Sequence, residues 1–312
     1  MNKKDHLILF RRMVLIRKFE ELIINLFNEK KMWGTIHLST GQEAIPVGVN
    51  YCLKKDDIVT ASHRPIHVMI AKGLDVNYIL SEFLGKENGF CKGYGGPMHL
   101  FSKKDYFYGS NGIVGANIAI STGIALATKR MKKNQIVVTF FGEGATTQGI
   151  FHEAVNMAAI LKLPIIFICE NNIYAQSTKV TEHSSVIDFA DKVRDAYGID
   201  SVKVNGNDLI EIIKNMKKVV KYVRKNKKPY FVEFLTYRLC GHSINDVEQT
   251  YRKKEEVVKM ARKDPIKTFE KYLIRNKISS KKELEQIEKE IDKELSNAVL
   301  FALNSKGSEL GD

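Results

Sequence analysis

The sequence predicts an α/β fold built on a parallel sheet with flanking helices and a helical C-terminal region. Three observations carry that reading. Ile136 to Phe141 (IVVTFF) is a short run of apolar, β-branched and aromatic residues, the composition of a buried strand. The glycines of GEG then break the strand, and Ile150, Phe151, Ala154, Val155, Ala158 and Leu161 recur at helical spacing until Pro164 ends the helix. IIFIC follows as a second buried strand and runs into Asn171 and Asn172. Two strands that are apolar on both faces, joined by a helix, form the repeating unit of a parallel sheet.

The rest of the chain is read around this unit. A first helix is expected from Leu7 to Lys31, with Leu15, Phe19, Leu22, Ile23 and Leu26 on one face. HLSTGQEA then starts a loop-to-helix step, and DIVTASHRPIHVMIAKG follows, ending at Gly73. Gly85 to His99 is glycine-rich but lacks the lysine spacing of a phosphate loop, so it is read as a tight irregular loop. A loop from Gly109 to Gly115 precedes a helix whose small residues Ala116, Ala119, Gly123 and Ala127 permit close approach to the sheet or to a second chain. After the central unit, DFADKVRDAYGI is helical, SVKVNG is a strand, and the next helix is capped by Asn207. Pro229 to Arg238 is a further strand. From Lys253 the chain becomes charged and amphipathic. Leu284, Ile287, Ile291, Leu295 and Val299 form a stripe suited to packing within the molecule. No linker rich in proline or glycine divides the chain. Residues 1–312 are therefore read as one domain with a helical N-terminal arm (about 1–35) and a helical C-terminal extension (about 253–312).

Composition removes several classes of function. With 44% hydrophobic and 27% charged residues the chain is neither disordered nor membrane-spanning, and its start shows no cleavage-site pattern, so a cytoplasmic location is expected. Cys52, Cys91, Cys169 and Cys240 are far apart and form no CxxC pair, which argues against zinc or a disulfide framework. The net charge of +13 invites a nucleic-acid reading. The lysine pairs are scattered along the chain, however, and no nucleic-acid-binding signature accompanies them.

The chemistry is expected at the two strand ends of the central unit. Ligands of open α/β sheets bind beyond the carboxyl ends of the strands. Glu143 follows one strand and Asn172 the next, 29 positions on. A carboxylate and an amide oxygen beside a helix N-terminus near Gly144 to Thr147 suit a magnesium–diphosphate pair.

These residues also carry a resemblance. GEG followed by NN at this separation resembles the thiamin diphosphate motif. With it stand TGQEA at Thr40, GGPMH at Gly95, NGIVGA at Asn111 and YR..GHS at Tyr237, in order. Together, from about Leu9 to Lys254, they resemble the α subunit of the thiamin-dependent decarboxylating component of 2-oxo acid and acetoin dehydrogenase complexes. The resemblance implies a thiamin diphosphate-binding fold, in its diphosphate-binding half, with thiamin diphosphate and Mg2+ as cofactors. It implies Glu143, Asn172 and the carbonyl of Tyr174 as metal ligands. Arg64, Gly144 and Ala145 are implied at the diphosphate, His63 as a cofactor-binding neighbour of Arg64, Arg238 as a structural or phosphate-side contact, and Gly112 and Val114 against the aminopyrimidine ring. His242 and His37 are implied as the catalytic pair. Gln42 supports the pocket. Two positions depart from pyruvate- and acetoin-type members: Ile66 stands where many carry histidine, with His67 one place late, and Cys240 stands where histidine is frequent. Branched-chain members also lack the first histidine.

The family's pyrimidine half-site lies on a different domain, for which this chain is too short. A β subunit in an α2β2 heterotetramer is therefore expected, together with a lipoyl-bearing acyltransferase. The expected function is oxidative decarboxylation of a 2-oxo acid, or cleavage of acetoin, with acyl transfer to the lipoyl group. Two alternatives use the same residues: a split thiamin-dependent carboligase or transketolase-like subunit, and a degenerate, non-catalytic homologue.

Overall fold

The computed structural model describes residues 1–32 and 34–309; position 33 in the expected arm and 310–312 in the expected extension lie outside the described residues. The chain opens with α1 (Lys3–Asn28), capped by Asn2 and Asp5 in a reciprocal pair, and continues through α2 (Ala44–Tyr51) to the first strand, β1 (Ile58–Ala61). Helices α3 (Ile66–Lys72) and α4 (Val76–Phe83) lead to β2 (Phe107–Ser110) and α5 (Ala116–Arg130). The central unit is β3 (Val137–Gly142), α6 (Gly149–Ile160) and β4 (Ile165–Asn171). A small hairpin, β5 (Tyr174–Ala175) and β6 (Thr178–Lys179), leads to α7 (Val180–His183) and α8 (Phe189–Tyr197). Then come β7 (Asp200–Asn205), α9 (Leu209–Asn226) and β8 (Tyr230–Leu235), and finally α10 (Lys254–Ala261), α11 (Pro265–Arg275) and α12 (Lys281–Asn304).

Six of these strands form one parallel sheet in the order β2-β1-β3-β4-β8-β7. Its strands bury both faces, so side chains of alternating parity enter two separate cores. Phe140, Ile166, Ile168, Val232 and Phe234 meet the face covered by α1, α2, α9 and α12. Phe141, Phe167, Cys169 and Phe231 meet α5, α6 and α8. The chain leaves β1 outward to β2 and returns on the other side to β3. The switch point of the topology therefore lies between the ends of β1 and β3.

Several details differ from the sequence reading. The strands β1 and β2 were not anticipated: β1 is only four residues long and runs directly into Ser62-His63, and β2 carries Gly109 within the expected loop. The cap of α9 is Asp208, whose carboxylate accepts the N–H groups of Ile210 and Glu211 at 2.9 and 3.0 Å. Asn207 instead bonds Thr236 and the carbonyl of Lys263. The helix after GEG starts at Gly149, because Glu143–Thr147 forms a separate 3-10 turn in which the hydroxyls of Thr146 and Thr147 donate to the carbonyls of Glu143 and Gly144.

The C-terminal stripe packs inside the molecule as expected. Leu284, Ile291 and Leu295 are buried in the larger core, and α12 lies against α1 and α4. The glycine-rich loop is organised by one buried side chain. Glu82, at the end of α4, accepts the N–H groups of Cys91, Gly93, Gly95 and Gly96 at 2.7, 2.9, 2.7 and 3.2 Å. A Cβ on Gly89 would fall 2.3 Å from that carboxylate, so glycine alone lets the loop wrap so closely. No described helix is long and apolar enough to cross a membrane.

Candidate active site

A cavity of about 310 Å³ lies beyond the carboxyl ends of β1, β3 and β4, at the switch point of the sheet. Each strand delivers its next residues into it. β1 delivers His63 and Arg64, β3 delivers Glu143, Gly144 and Ala145, and β4 delivers Asn172 and then Tyr174. The loop after β8 brings Arg238 and His242, and Val114 closes the edge ahead of α5. With Gln42, which also lines it, eleven sequence-predicted positions thus meet in one place. Gly112 and His37 do not line the cavity: Gly112 sits against the His99 ring, and His37 stands behind His63 and His242.

Adjacent parallel strands bring Glu143 and Asn172 together, as their spacing requires. The Asn172 N–H donates to Glu143 Oε2 at 3.2 Å, while the Asn172 side chain accepts from the Tyr174 N–H and donates to Gln42 Oε1 at 3.4 Å. Glu143 is almost fully buried and its other oxygen, Oε1, has no partner among the described residues. Burial pushes its carboxyl up to about 7, against the pull of backbone N–H donors and of Arg238 and Arg64. Gly144 is held close to the hairpin; a Cβ there would fall 2.6 Å from the Ala175 Cβ.

The arginines have different roles. Arg238 is spent on its own chain: it donates to the carbonyls of Tyr174 (3.3 Å) and Gln176 (2.9 Å) and to the Tyr251 hydroxyl (2.9 Å). The Tyr174 carbonyl keeps its second lone pair. The Arg64 side chain donates to the His242 carbonyl at 3.1 Å, and its buried Nη1 has no partner among the described residues. Burial, with Arg238 nearby, lowers its guanidinium to about 10.

Three imidazoles converge beside them. His37 packs edge-on to His63 and His242, with ring centroids 4.5 and 4.8 Å away. Burial is the largest cause lowering all three, to about 2 for His37, 4 for His63 and 3 for His242, and the positive neighbours Arg64 and Arg238 add to it. All three are therefore neutral near pH 7. The His37 loop is anchored from beneath. Buried Glu20 accepts the Ser39 N–H at 2.7 Å and both the Ser39 and Thr40 hydroxyls, and Glu43 accepts the Gly41 N–H and Arg17. The His242 loop is tied to it through Leu239 N–H to Thr40 O and Ile244 N–H to Ile36 O, both 2.8 Å. Asp246 then fixes the His242 N–H at 2.6 Å.

The geometry offers a buried carboxylate and an amide for a cation, a buried guanidinium for an anion, and neutral imidazoles above them. Residues 11–310 match the family described as Dehydrogenase E1 component. The chain belongs to that family. This E1 component is 38% identical to the pyruvate dehydrogenase E1 component subunit alpha of Rickettsia bellii over 97% of its own length and 92% of the relative's. The protein of the same name in Rhizobium meliloti is 38% identical over 96% of this chain and 86% of its own. A testis-specific mitochondrial form from Rattus norvegicus is 37% identical over 100% of this chain and 79% of its own. The E1 chain is accordingly an oxidoreductase component, the α subunit of a thiamin diphosphate-dependent 2-oxo acid dehydrogenase.

The two departures noted in the sequence do not line the E1 cavity. Ile66 is 1% exposed and packs in the larger apolar core. The Cys240 thiol points to the Leu38 carbonyl at 3.6 Å. Sequence reasoning missed Glu170 and His183, which also line the cavity. Glu170 was findable, because it stands at the carboxyl end of β4, where ligands of such sheets bind. His183, whose ring nitrogens find no partner among the described residues, sits on the four-residue α7 and left no such signal.

Proposed function

We propose that this chain holds magnesium and thiamin diphosphate between Glu143, Asn172, the Tyr174 carbonyl and Arg64, and acts on pyruvate or a closely related 2-oxo acid. One observation carries the reading. Glu143 Oε1 and Arg64 Nη1 are both buried and both unpartnered among the described residues in the same cavity, an acceptor lacking a cation and a donor lacking an anion. Buried polar groups are rarely left so, and a divalent metal bound to a diphosphate satisfies both at once. Gly144 and Ala145, in the 3-10 turn, line the same cavity. Pyruvate is favoured as substrate by the names of the relatives.

When bound, thiamin diphosphate supplies the electron sink for decarboxylation. The chain's own contribution is placement and proton handling. Burial is the chief cause that depresses His63, His242 and His37; an anion beside Arg64 would offset only the smaller contribution of the positive neighbours and raise their proton affinity from there. His242, carried on the loop after β8, would orient the substrate carbonyl, and His37 behind it would support that ring and pass protons to it, each neutral ring offering one donor and one acceptor.

The site also needs a cover. Ile113 (70% exposed) and Ile120 (47% exposed) stand with Val114, Gly123 and Ala127 on an open face that runs from the cavity rim along α5. Such a face fits the expected β subunit, in an α2β2 assembly that passes its acyl group to a lipoyl acyltransferase. The test is native mass spectrometry of the protein isolated from its own cells, followed by acylation of a lipoyl domain with pyruvate, branched-chain 2-oxo acids and acetoin in turn. The expected result is a heterotetramer that retains magnesium and thiamin diphosphate and acylates the lipoyl domain fastest from pyruvate. A homo-oligomer that binds no cofactor would overturn the reading.

A further inference from the structure

Ile66 and His67 are neighbours at the start of α3, and the fold sends them opposite ways. Ile66 joins the apolar core, while His67 is buried beneath the cavity with Nε2 2.9 Å from Glu170 Oε1. No donor among the described residues reaches the other oxygen of Glu170, and its residue lines the cavity. Glu170 lies near the end of β4, two positions before Asn172, which follows the strand, and both residues line the cavity. Across the sheet Glu170 is in register with Gly142, the residue before Glu143. A carboxylate is thus fixed in the floor of a cavity that also contains Arg64 and Glu143.

A fixed anion on that floor repels a bare phosphate and attracts a metal. We infer that Glu170, held in place by His67, makes the cavity take diphosphate as its complex with a divalent cation and turn away free diphosphate. Glu170 is the specificity determinant and His67 a positioning residue. Discrimination of this kind rests on a repulsive element as much as on attractive ones. The inference deepens the magnesium–diphosphate reading and rests on it.

The test is isothermal titration calorimetry of the protein with its partner subunits, stripped of cofactor. Inorganic diphosphate is the titrant, with Mg2+ and then with a chelator. The quantity read is the ratio of the two affinities, which a general loosening of the fold leaves unchanged. Glu170→Gln keeps an acceptor for His67 but removes the charge. It is expected to bind free diphosphate about tenfold more tightly and to lower the magnesium dependence by about the same factor. His67→Leu should shift the ratio the same way by less, and His67→Gln, which keeps a donor, should restore it. A ratio within about twofold of wild type for Glu170→Gln overturns the inference. If that variant does not assemble, the same threshold applied to His67→Leu decides. Glu143→Gln separates the two levels. If it leaves magnesium-dependent binding intact, the site reading itself fails. If it abolishes that binding while Glu170→Gln leaves the ratio unmoved, only the role of Glu170 fails.

Discussion

Replacing Glu143 by glutamine should make the metal-free protein more stable, and by an amount that depends on pH. Burial lifts the Glu143 carboxyl from 4.5 to about 7. An acid whose proton affinity is higher in the folded state stabilises the fold below its unfolded value, and that contribution is lost as pH rises through the folded value. Each tenfold difference in proton affinity corresponds to about 1.4 kcal/mol, so burying Glu143 costs the metal-free fold about 3 kcal/mol near pH 8, where it is ionised, and about 1 kcal/mol near pH 5, where the fold must take up its proton. Glutamine keeps an acceptor for the Asn172 N–H and has no proton to lose. Urea unfolding of wild type and Glu143→Gln in chelator, at equal subunit concentration, should show the variant gaining about 2 kcal/mol between about pH 5 and pH 8. Comparing the two pH values cancels any fixed packing cost and the titration of histidines common to both proteins. Saturating magnesium and thiamin diphosphate should reverse the order by stabilising wild type alone. A stability difference that does not change with pH would refute the reasoning, because it would mean that Glu143 is ionised without penalty.

Further outcomes follow from the same structure. Magnesium affinity, followed by calorimetry in the presence of diphosphate, should fall about tenfold per pH unit below about 7 and level off above it, since the metal must displace the Glu143 proton. Gly144→Ala should push Ala175 and the adjoining Tyr174 away from the cavity and weaken thiamin diphosphate binding at least about tenfold, with only a modest loss of thermal stability. Asp208→Ala should cost about 1 kcal/mol in urea unfolding through loss of the α9 cap. Ile120→Lys should leave the chain folded by circular dichroism but remove the β subunit from its native mass spectrum.

Which parts of this were readable in the linear chain depends on how local their causes are. The β3–α6–β4 unit was legible because apolar strands and glycine and proline breaks lie next to one another. Glu143 and Asn172 were placed correctly because parallel pairing fixes where strand ends meet. The short strands β1 and β2 were not readable: with four residues each, their strand character comes from pairing with neighbours, Ile58 to Thr60 against β3 and Phe107 against Val59. The cap of α9 was misassigned by one residue because Asn207 and Asp208 have equal capping ability, and the tertiary bond from Asn207 to Thr236 decides between them. The His67–Glu170 contact spans 103 positions and could not be read from either segment alone. His67 could only be noted as a histidine one position late.

The loop gathered around Glu82 has a consequence for motion. Its backbone is irregular and much of it is open to solvent, so by shape it belongs with the most mobile parts of the chain. Four of its amide protons nevertheless point at one buried carboxylate, and the chain near Gly307 and Ser308 is bonded to its base at Lys86 and Gly85. Those amides can meet solvent deuterium only when the end of α4 opens as well. In a hydrogen-exchange experiment the amides of Cys91, Gly93, Gly95 and Gly96 should therefore exchange together, at the slow rate of the helix that holds them and not at the rate of a loop.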